Sequence, residues 1–197
     1  IGIPVIKPWN IEAVKEKLDV LNATDIFAAA MDIDGAGLPF LKAMNPNAGS
    51  KPVEELREII EYAKMPFILK GIMTVKGAVK AVEAGAKGIV VSNHGGRVLG
   101  NCPSSAEVLA DIVDAVGKDV TIMVDGGIRT GSDIFKALAI GADSVLIGRP
   151  YVPMVYGGGK EGIKVYTDKL GAELVDTMTM CGAKTLEEIS RDMVWVK

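Results

Sequence analysis

The chain has 197 residues, of which 49% are hydrophobic and 24% charged, a composition typical of one globular domain with a sizeable core. A formal net charge of -3 and only 5% aromatic residues argue against nucleic acid or an anionic membrane surface as a partner. Cys102 and Cys181 form neither a disulfide framework nor a metal motif, so we expect no metal site. We predict a cytoplasmic protein, because no membrane-length apolar run or leader peptide is visible.

Six short runs rich in Ile and Val are predicted to be strands. Each is almost entirely apolar, as is typical of parallel strands buried on both faces. In chain order they are residues 3–7, 26–30 with an extension to about 34, 67–70, 88–91, 121–125 and 144–147.

Amphipathic segments between these runs are predicted to be helices. Their ends carry ordinary signals: Asn10 is a candidate cap, Pro52 suits a first turn, and Gly85 ends a helix. The predicted helices are residues 10–21, 53–64, 74–84, 104–116, 131–140 and 159–182. The glycine run 157–159 is interpreted as a flexible joint, and residues 34–50 as the longest irregular loop.

The alternation of strand and helix predicts right-handed parallel β/α units. A closed (β/α)8 TIM barrel has eight such units, and six are counted here. We therefore expect one α/β domain over residues 1–197, an incomplete (β/α)8 barrel that lacks the first two units and is truncated at its N-terminus.

Three predicted strands are followed by glycine and charge, where ligands bind in parallel α/β proteins. The first such stretch holds His94, the only histidine, between Ser92-Asn93 and Gly95-Gly96. A lone histidine is more often structural, but this position favours a base that a ligand can approach closely. Arg97 could bind a carboxylate through two hydrogen bonds.

The other two stretches, residues 125–129 and 148–149, are interpreted as an anion cradle. Glycines expose backbone N–H groups, a following helix contributes its positive end, and Arg129 and Arg149 add full charges. The alternative is that the glycines only form tight turns.

Two further charged residues end predicted strands. Lys70 either leaves the core for solvent or stabilises negative charge on a ligand. Asp34 shares a strand face with Asp32 and is either a cap or loop residue or the carboxylate that orients the ring of His94.

Together these motifs resemble the FMN-dependent α-hydroxy acid oxidase and dehydrogenase family, which includes glycolate oxidase and lactate oxidase. Residues 92–97 match the family's Ser-Asn-His-Gly-x-Arg, and residues 125–129 match its Asp-Gly-Gly-Ile/Val-Arg phosphate loop. Lys70 matches a Lys-Gly strand end, and residues 148–150 match a final Gly-Arg-Pro. The similarity extends over about residues 65–150.

The resemblance implies an FMN-linked barrel that oxidises a 2-hydroxy acid to a 2-keto acid, with the flavin as electron acceptor. His94 would be the general base with Asp34 as its partner, and Arg97 together with His94 would bind the substrate. The residues expected to contact FMN are Lys70, Ser92, Asp125, Gly126, Gly127, Arg129, Gly148 and Arg149. Because family members are often tetramers, a homo-oligomer is expected.

The chain also departs from the family pattern. Residues 98–100 are Val-Leu-Gly rather than Gln-Leu-Asp, and residues 2–4 replace a strand that usually carries Gln and Tyr. Asp32 replaces a usual Thr near the flavin, where its charge is expected to repel a substrate carboxylate. These departures predict a different or larger substrate than glycolate or lactate.

Two alternatives stay open on the sequence. An FMN-dependent isopentenyl diphosphate isomerase has a similar barrel and phosphate loop, although the Ser-Asn-His-Gly-Gly-Arg motif fits hydroxy acid enzymes better. The second alternative is a non-catalytic barrel fragment that binds FMN or phosphate, because six strands leave open sheet edges.

Overall fold

A sheet of six parallel strands forms the centre of the computed structural model, which describes residues 2–43 and 48–195. The strands are β1 Val5–Ile6, β2 Ala29–Asp32, β3 Phe67–Ile72, β4 Gly88–Val91, β5 Thr121–Val124 and β6 Ser144–Val145. Each strand pairs in parallel with the next one along the chain, so the order in the sheet is the order in the sequence. The six predicted strands and the parallel α/β barrel class are confirmed, with shorter bounds for β1 and β6.

Helices connect successive strands and cover the outer face of the sheet. Those in the described ranges are α1 Ile11–Asn22, α2 Pro39–Lys42, α3 Val53–Tyr62, α4 Val75–Glu83, α5 Ser105–Val116, α6 Gly131–Ile140 and α7 Tyr151–Cys181. The predicted cap is confirmed, since the side chain of Asn10 accepts a hydrogen bond from the N–H of Ala13 at 2.9 Å. Thr74 and Ser104 cap α4 and α5 in the same way.

Both faces of the sheet are buried, which explains why the strands are apolar without alternation. The main core lies between the sheet and the helices and includes Leu18, Ile59, Phe67, Ile89 and Ile112. A smaller cluster on the other face contains Ala28, Ala30, Ile68 and Val90, packed against Met123 and Leu146. This second cluster lies on the sheet face opposite the helices, where a barrel has its interior.

Two predicted segments differ from the structure. The predicted loop 34–50 contains a 3-10 helix at Ile33–Gly37 and the short α2, which begins at Pro39 because proline suits a first helical turn; residues 44–47 lie outside the described residues. Helix α7 begins at Tyr151 rather than at residue 159. The predicted joint is a break within this helix, where Gly159 adopts φ 51° and ψ -134°.

The capping box of α6 includes Asp133, whose ionisation is coupled to folding. Its Oδ2 accepts hydrogen bonds from the Thr130 hydroxyl at 2.9 Å and from the N–H groups of Arg129 and Thr130 at 3.0 Å each. Burial raises the pKa of Asp133, but these hydrogen bonds outweigh it and hold the pKa below its ordinary value. The carboxylate therefore stabilises the fold above that ordinary value, and the contribution is lost as the pH falls toward the lowered pKa.

We expect Asp133→Ala to lower the free energy of unfolding by about 1 kcal/mol at neutral pH, the usual effect of losing a helix cap. The difference from the parent should narrow as the pH falls below about 4, the ordinary pKa of an aspartate, because the unfolded parental chain then takes up a proton before the folded one does. Urea unfolding across a pH series measures both effects. Asp133→Asn is the matched control, because it keeps an acceptor without a titrating charge. A difference that stays constant with pH would contradict the coupling.

Candidate functional site

A cavity of about 450 Å³ opens at the carboxyl ends of the strands, and residues at or after the end of all six strands line it. Five of the lining side chains are cationic and two are carboxylates, so the wall carries net positive charge. The charged lining residues are Lys7, Lys70, Arg97, Arg129, Arg149, Asp32 and Asp125. A concave site of this charge attracts and holds anions.

His94 enters this cavity from an unusual turn after β4. It is a non-glycine residue with positive φ, 58°, and Gly95 and Gly96 continue the left-handed run at 67° and 75°. The N–H of His94 donates to the Ser92 hydroxyl at 3.1 Å, and the N–H of Gly96 donates to the Asn93 side chain at 3.2 Å. Backbone strain held by such contacts is typical of functional turns.

The imidazole of His94 lies against Asp34, with 3.1 Å between Nδ1 and Oδ2. An ionised carboxylate accepts a hydrogen bond from Nδ1–H, which leaves Nε2 of the neutral ring as an acceptor. This pairing matches the partner predicted for His94. The predicted reason was wrong, however, because β2 ends at Asp32 and Asp34 lies in the following 3-10 helix rather than on the strand.

Gly71 makes room for Asp34. Its φ is +104°, and an added Cβ would lie 2.6 Å from both Cβ and Cγ of Asp34. The register of the β3–β4 pair shifts between Lys70 and Ile72, at this same glycine. The irregularity in β3 therefore lets the carboxylate approach the sheet edge and reach His94.

Lys70 is held among polar partners rather than directed to solvent. Its Nζ donates to the Ser92 hydroxyl at 3.0 Å and lies 3.4 Å from Oδ2 of Asp125. The placement agrees with a cation held over a ligand. Ser92 itself is fully buried, and its hydroxyl accepts hydrogen bonds from Nζ of Lys70 and from the N–H of His94. It is not among the residues that line the cavity, and its contact with the cofactor stays a prediction.

The expected repulsion by Asp32 is wrong, because the charge of Asp32 is compensated within the site. Asp32 is a buried carboxylate, 4% exposed, and it forms an ion pair with Lys7. Lys70 provides a second cation at 3.9 Å. Lys7 was not among the predicted site residues, although its position just after β1, at the same sheet edge as Lys70, is a signal that could have indicated it.

The predicted anion cradle is assembled from two loops. Gly126 and Gly127 have φ of +90° and +87°, and a Cβ on Gly127 or Gly148 would meet nothing within 4 Å, so these backbones face open space. Arg129 and Arg149 line the same cavity. Turns of this kind present N–H groups to an anion, and the arginines add charge.

Contacts from other elements fix both arginine loops. The hydroxyl of Tyr166 in α7 donates to the carbonyl of Arg129 at 2.9 Å, a contact that no local sequence pattern indicated. Nη2 of Arg149 donates to the carbonyl of Gly95 at 3.3 Å, and a Cβ at Gly95 would lie 2.2 Å from that nitrogen. The cradle and the His94 turn are thus in direct contact.

Arg97 belongs to the same turn as His94. Its Nε donates to the carbonyl of His94 at 3.1 Å, and the side chain lines the cavity. A guanidinium tied to the loop of the candidate base is suited to hold a carboxylate beside that base.

Two buried carboxylate oxygens, Oδ1 of Asp34 and Oδ1 of Asp125, have no hydrogen-bond partner among the described residues. Buried polar atoms are nearly always hydrogen-bonded in proteins, and such exceptions are often explained by ligands. Oδ1 of Asp125 is itself buried, but the Asp125 side chain is part of the cavity wall, so its carboxylate is placed to accept a hydrogen bond from a hydroxyl group of a ligand.

Residues 2–43 and 48–195 hold neither a metal-binding cluster nor a membrane-spanning helix. No group of three or more His, Cys, Asp or Glu side chains there is arranged to hold a metal ion. No helix in those ranges combines the length and the apolar composition needed to cross a membrane.

Known proteins resemble the chain over most of its length. The family model for FMN-dependent dehydrogenase matches residues 14–196. A peroxisomal (S)-2-hydroxyacid oxidase, GLO3, of Arabidopsis thaliana is 43% identical over 153 residues, which cover 78% of this chain and 41% of that protein. An L-lactate oxidase of Roseobacter sp. (strain GAI101) is 43% identical over 141 residues, covering 72% of this chain and 38% of the relative.

Among solved structures, mandelate oxidase superimposes with a TM-score of 0.83 at 30% sequence identity, over 95% of this chain and 62% of that one. The chain spans about two-fifths of the length of the Arabidopsis and Roseobacter relatives. The family match covers nearly all of the chain, including His94, the two arginine loops and Lys70. The chain belongs to the FMN-dependent dehydrogenase family.

Proposed function

We propose that the chain provides the FMN site and the catalytic base of an enzyme that oxidises a 2-hydroxy acid to a 2-keto acid. The observation that carries the proposal is one cation-rich cavity that joins the His94–Asp34 pair and Arg97 to a glycine and arginine cradle. The named activities of the relatives, oxidation of (S)-2-hydroxy acids and of L-lactate, support it.

The residues present suit FMN. The phosphate would bind to the exposed backbone of Gly127 and Gly148 and to Arg129 and Arg149, because these groups supply N–H donors and positive charge. The Asp125 carboxylate, which lines the cavity, would accept a hydrogen bond from a ribityl hydroxyl. Gly126 completes the loop, and Lys70 would face the ring.

His94 would act as the general base of the reaction. Its Nε2 takes the hydroxyl or α-carbon proton of the substrate, and Asp34 stabilises the positive charge that the ring then carries. Arg97 binds the substrate carboxylate and holds the reacting carbon beside the base. When bound, FMN supplies the two-electron acceptor, and Lys70 places positive charge where negative charge develops.

Location and assembly are part of the proposal. We place the enzyme in the cytoplasm, as one FMN-binding barrel domain that self-associates, acts on a small molecule and has no nucleic acid or membrane partner. The peroxisomal name of the Arabidopsis relative makes cell fractionation the decisive check on location. Light scattering of the purified protein would test self-association.

Titration of FMN against the purified chain tests the cofactor site. We expect yellow colour and quenched flavin fluorescence, and in Arg129→Met a dissociation constant raised by about tenfold to hundredfold, the usual effect of losing a charge-assisted hydrogen bond. Arg57→Met is the control, because Arg57 is exposed and donates only to the carbonyl of Glu83.

The same samples test the reaction. Anaerobic addition of glycolate, L-lactate or (S)-mandelate, followed by longer acids, should bleach the bound flavin with at least one substrate. A chain that takes up no FMN in excess would overturn the cofactor site. FMN binding without reduction by any of these acids would overturn the oxidation and favour the isomerase alternative.

A further inference from the structure

Charged side chains of alternating sign cross the floor of the cavity. Lys7 follows β1, Asp32 ends β2, Lys70 lies in β3 and Asp125 follows β5. Asp32 and Lys70 are direct partners in the β2–β3 pairing, so their side chains leave the sheet on the same face. The cations of Lys7 and Lys70 therefore lie on either side of one buried carboxylate.

The two lysines compete for Asp32. A carboxylate that is 4% exposed needs a close counter-charge, because burial without one is costly. Lys7 provides the direct ion pair, whereas Lys70 stays 3.9 Å away. Nζ of Lys70 instead lies 3.0 Å from the Ser92 hydroxyl oxygen, and Lys70 itself is part of the cavity wall.

We propose that Lys7 is a positioning residue that satisfies Asp32 and thereby keeps the ammonium of Lys70 available to the cofactor. The inference rests on the proposed FMN site, because Lys70 is the cation assigned there to the flavin ring. Without Lys7, Asp32 has Lys70 as its nearest cation, and the ammonium of Lys70 turns away from the cavity toward Asp32.

Acylation of Lys70 by acetic anhydride, measured by peptide mass spectrometry on the cofactor-free chain, tests this competition directly. Lys7→Met should slow acylation of Lys70 several-fold, because a lysine drawn into a buried ion pair is less accessible and less nucleophilic. Lys7→Arg keeps the charge and should react like the parent. The double variant with Lys7→Met and Asp32→Asn should recover the parental rate, since Asp32 no longer attracts Lys70.

Sulfite provides a second measurement in the FMN-loaded protein. It adds to the flavin as a nucleophile, and the anionic adduct is stabilised by a nearby cation. We expect Lys7→Met to weaken sulfite binding to the FMN-saturated protein by about tenfold, the size of one charge interaction in a partly buried site. The double variant should again return to the parental value.

Rescue in the double variant separates positioning from a purely structural role, for which the two changes would only add. Unchanged acylation of Lys70 in a folded Lys7→Met protein would overturn the inference, and so would a double variant as slow as Lys7→Met alone. Thermal unfolding verifies that each variant is folded. A chain that binds no FMN would overturn the proposed function, and acylation would then decide the competition between the lysines by itself.

Discussion

In the His94→Asn variant, a 2-hydroxy acid should reduce the bound flavin more slowly, by a factor on the order of 10³. This is the usual contribution of a general base. Asparagine is preferred over alanine because His94 has φ 58°, a left-handed conformation that asparagine tolerates. FMN affinity should change little, since the cradle is built from other loops. Stopped-flow measurement of flavin bleaching under anaerobic conditions gives the rate.

Asp34→Asn tests the contribution of the carboxylate that pairs with His94. It preserves the shape of the side chain but removes the charge that stabilises the protonated ring. We therefore expect a rate of flavin reduction between the rates of the His94→Asn variant and the parent. A His94→Asn protein that binds FMN and retains a tenth or more of the parental rate would exclude His94 as the base.

Gly71→Ala should lower the same rate by on the order of 10²-fold without removing any group that touches the substrate. The added methyl would lie 2.6 Å from the Cβ of Asp34, so the carboxylate must withdraw from His94. Misplacement of a catalytic group by about 1 Å is sufficient for a loss of this size. The left-handed φ of +104° adds a stability cost of about 1–2 kcal/mol.

Gly85→Ala is the matched control for this substitution. Gly85 has a similar φ of +95°, but its Cβ would make only an ordinary contact at 3.6 Å with Ile60, far from the cavity lining. The control should therefore lose comparable stability and keep the parental rate. If both variants lose activity equally, general destabilisation rather than displacement of Asp34 explains the effect.

The local signals in the sequence predicted most of the fold. Apolar residues dominate the six strands because most of both sheet faces is buried, and the helix start at Asn10 carries its own capping chemistry. The prediction was wrong where long-range packing decides the outcome. Helix α7 begins at Tyr151 rather than at residue 159, and Tyr151 before the break at Gly159 contacts Tyr166 after it, edge to face.

The motifs likewise predicted which residue types meet at the carboxyl ends of the strands, because a parallel sheet brings all of those ends to one edge. They did not predict the pairings. The role of Lys7 depends on the alignment of β1 beside β2, and the place of Asp34 depends on a glycine in β3. Such contacts join residues that are 25 to 60 positions apart in the chain, so no local sequence pattern predicts them.

The sequence by itself therefore determined the strand and helix order, the cavity edge, the single histidine and the glycine and arginine loops, because these follow from local propensity and from the geometry of parallel sheets. Only the tertiary structure decided that Ser92 is buried support, that Asp32 is neutralised by Lys7, and that Tyr166 fixes the loop of Arg129. The physical reason is that burial and charge compensation depend on neighbours brought together by folding.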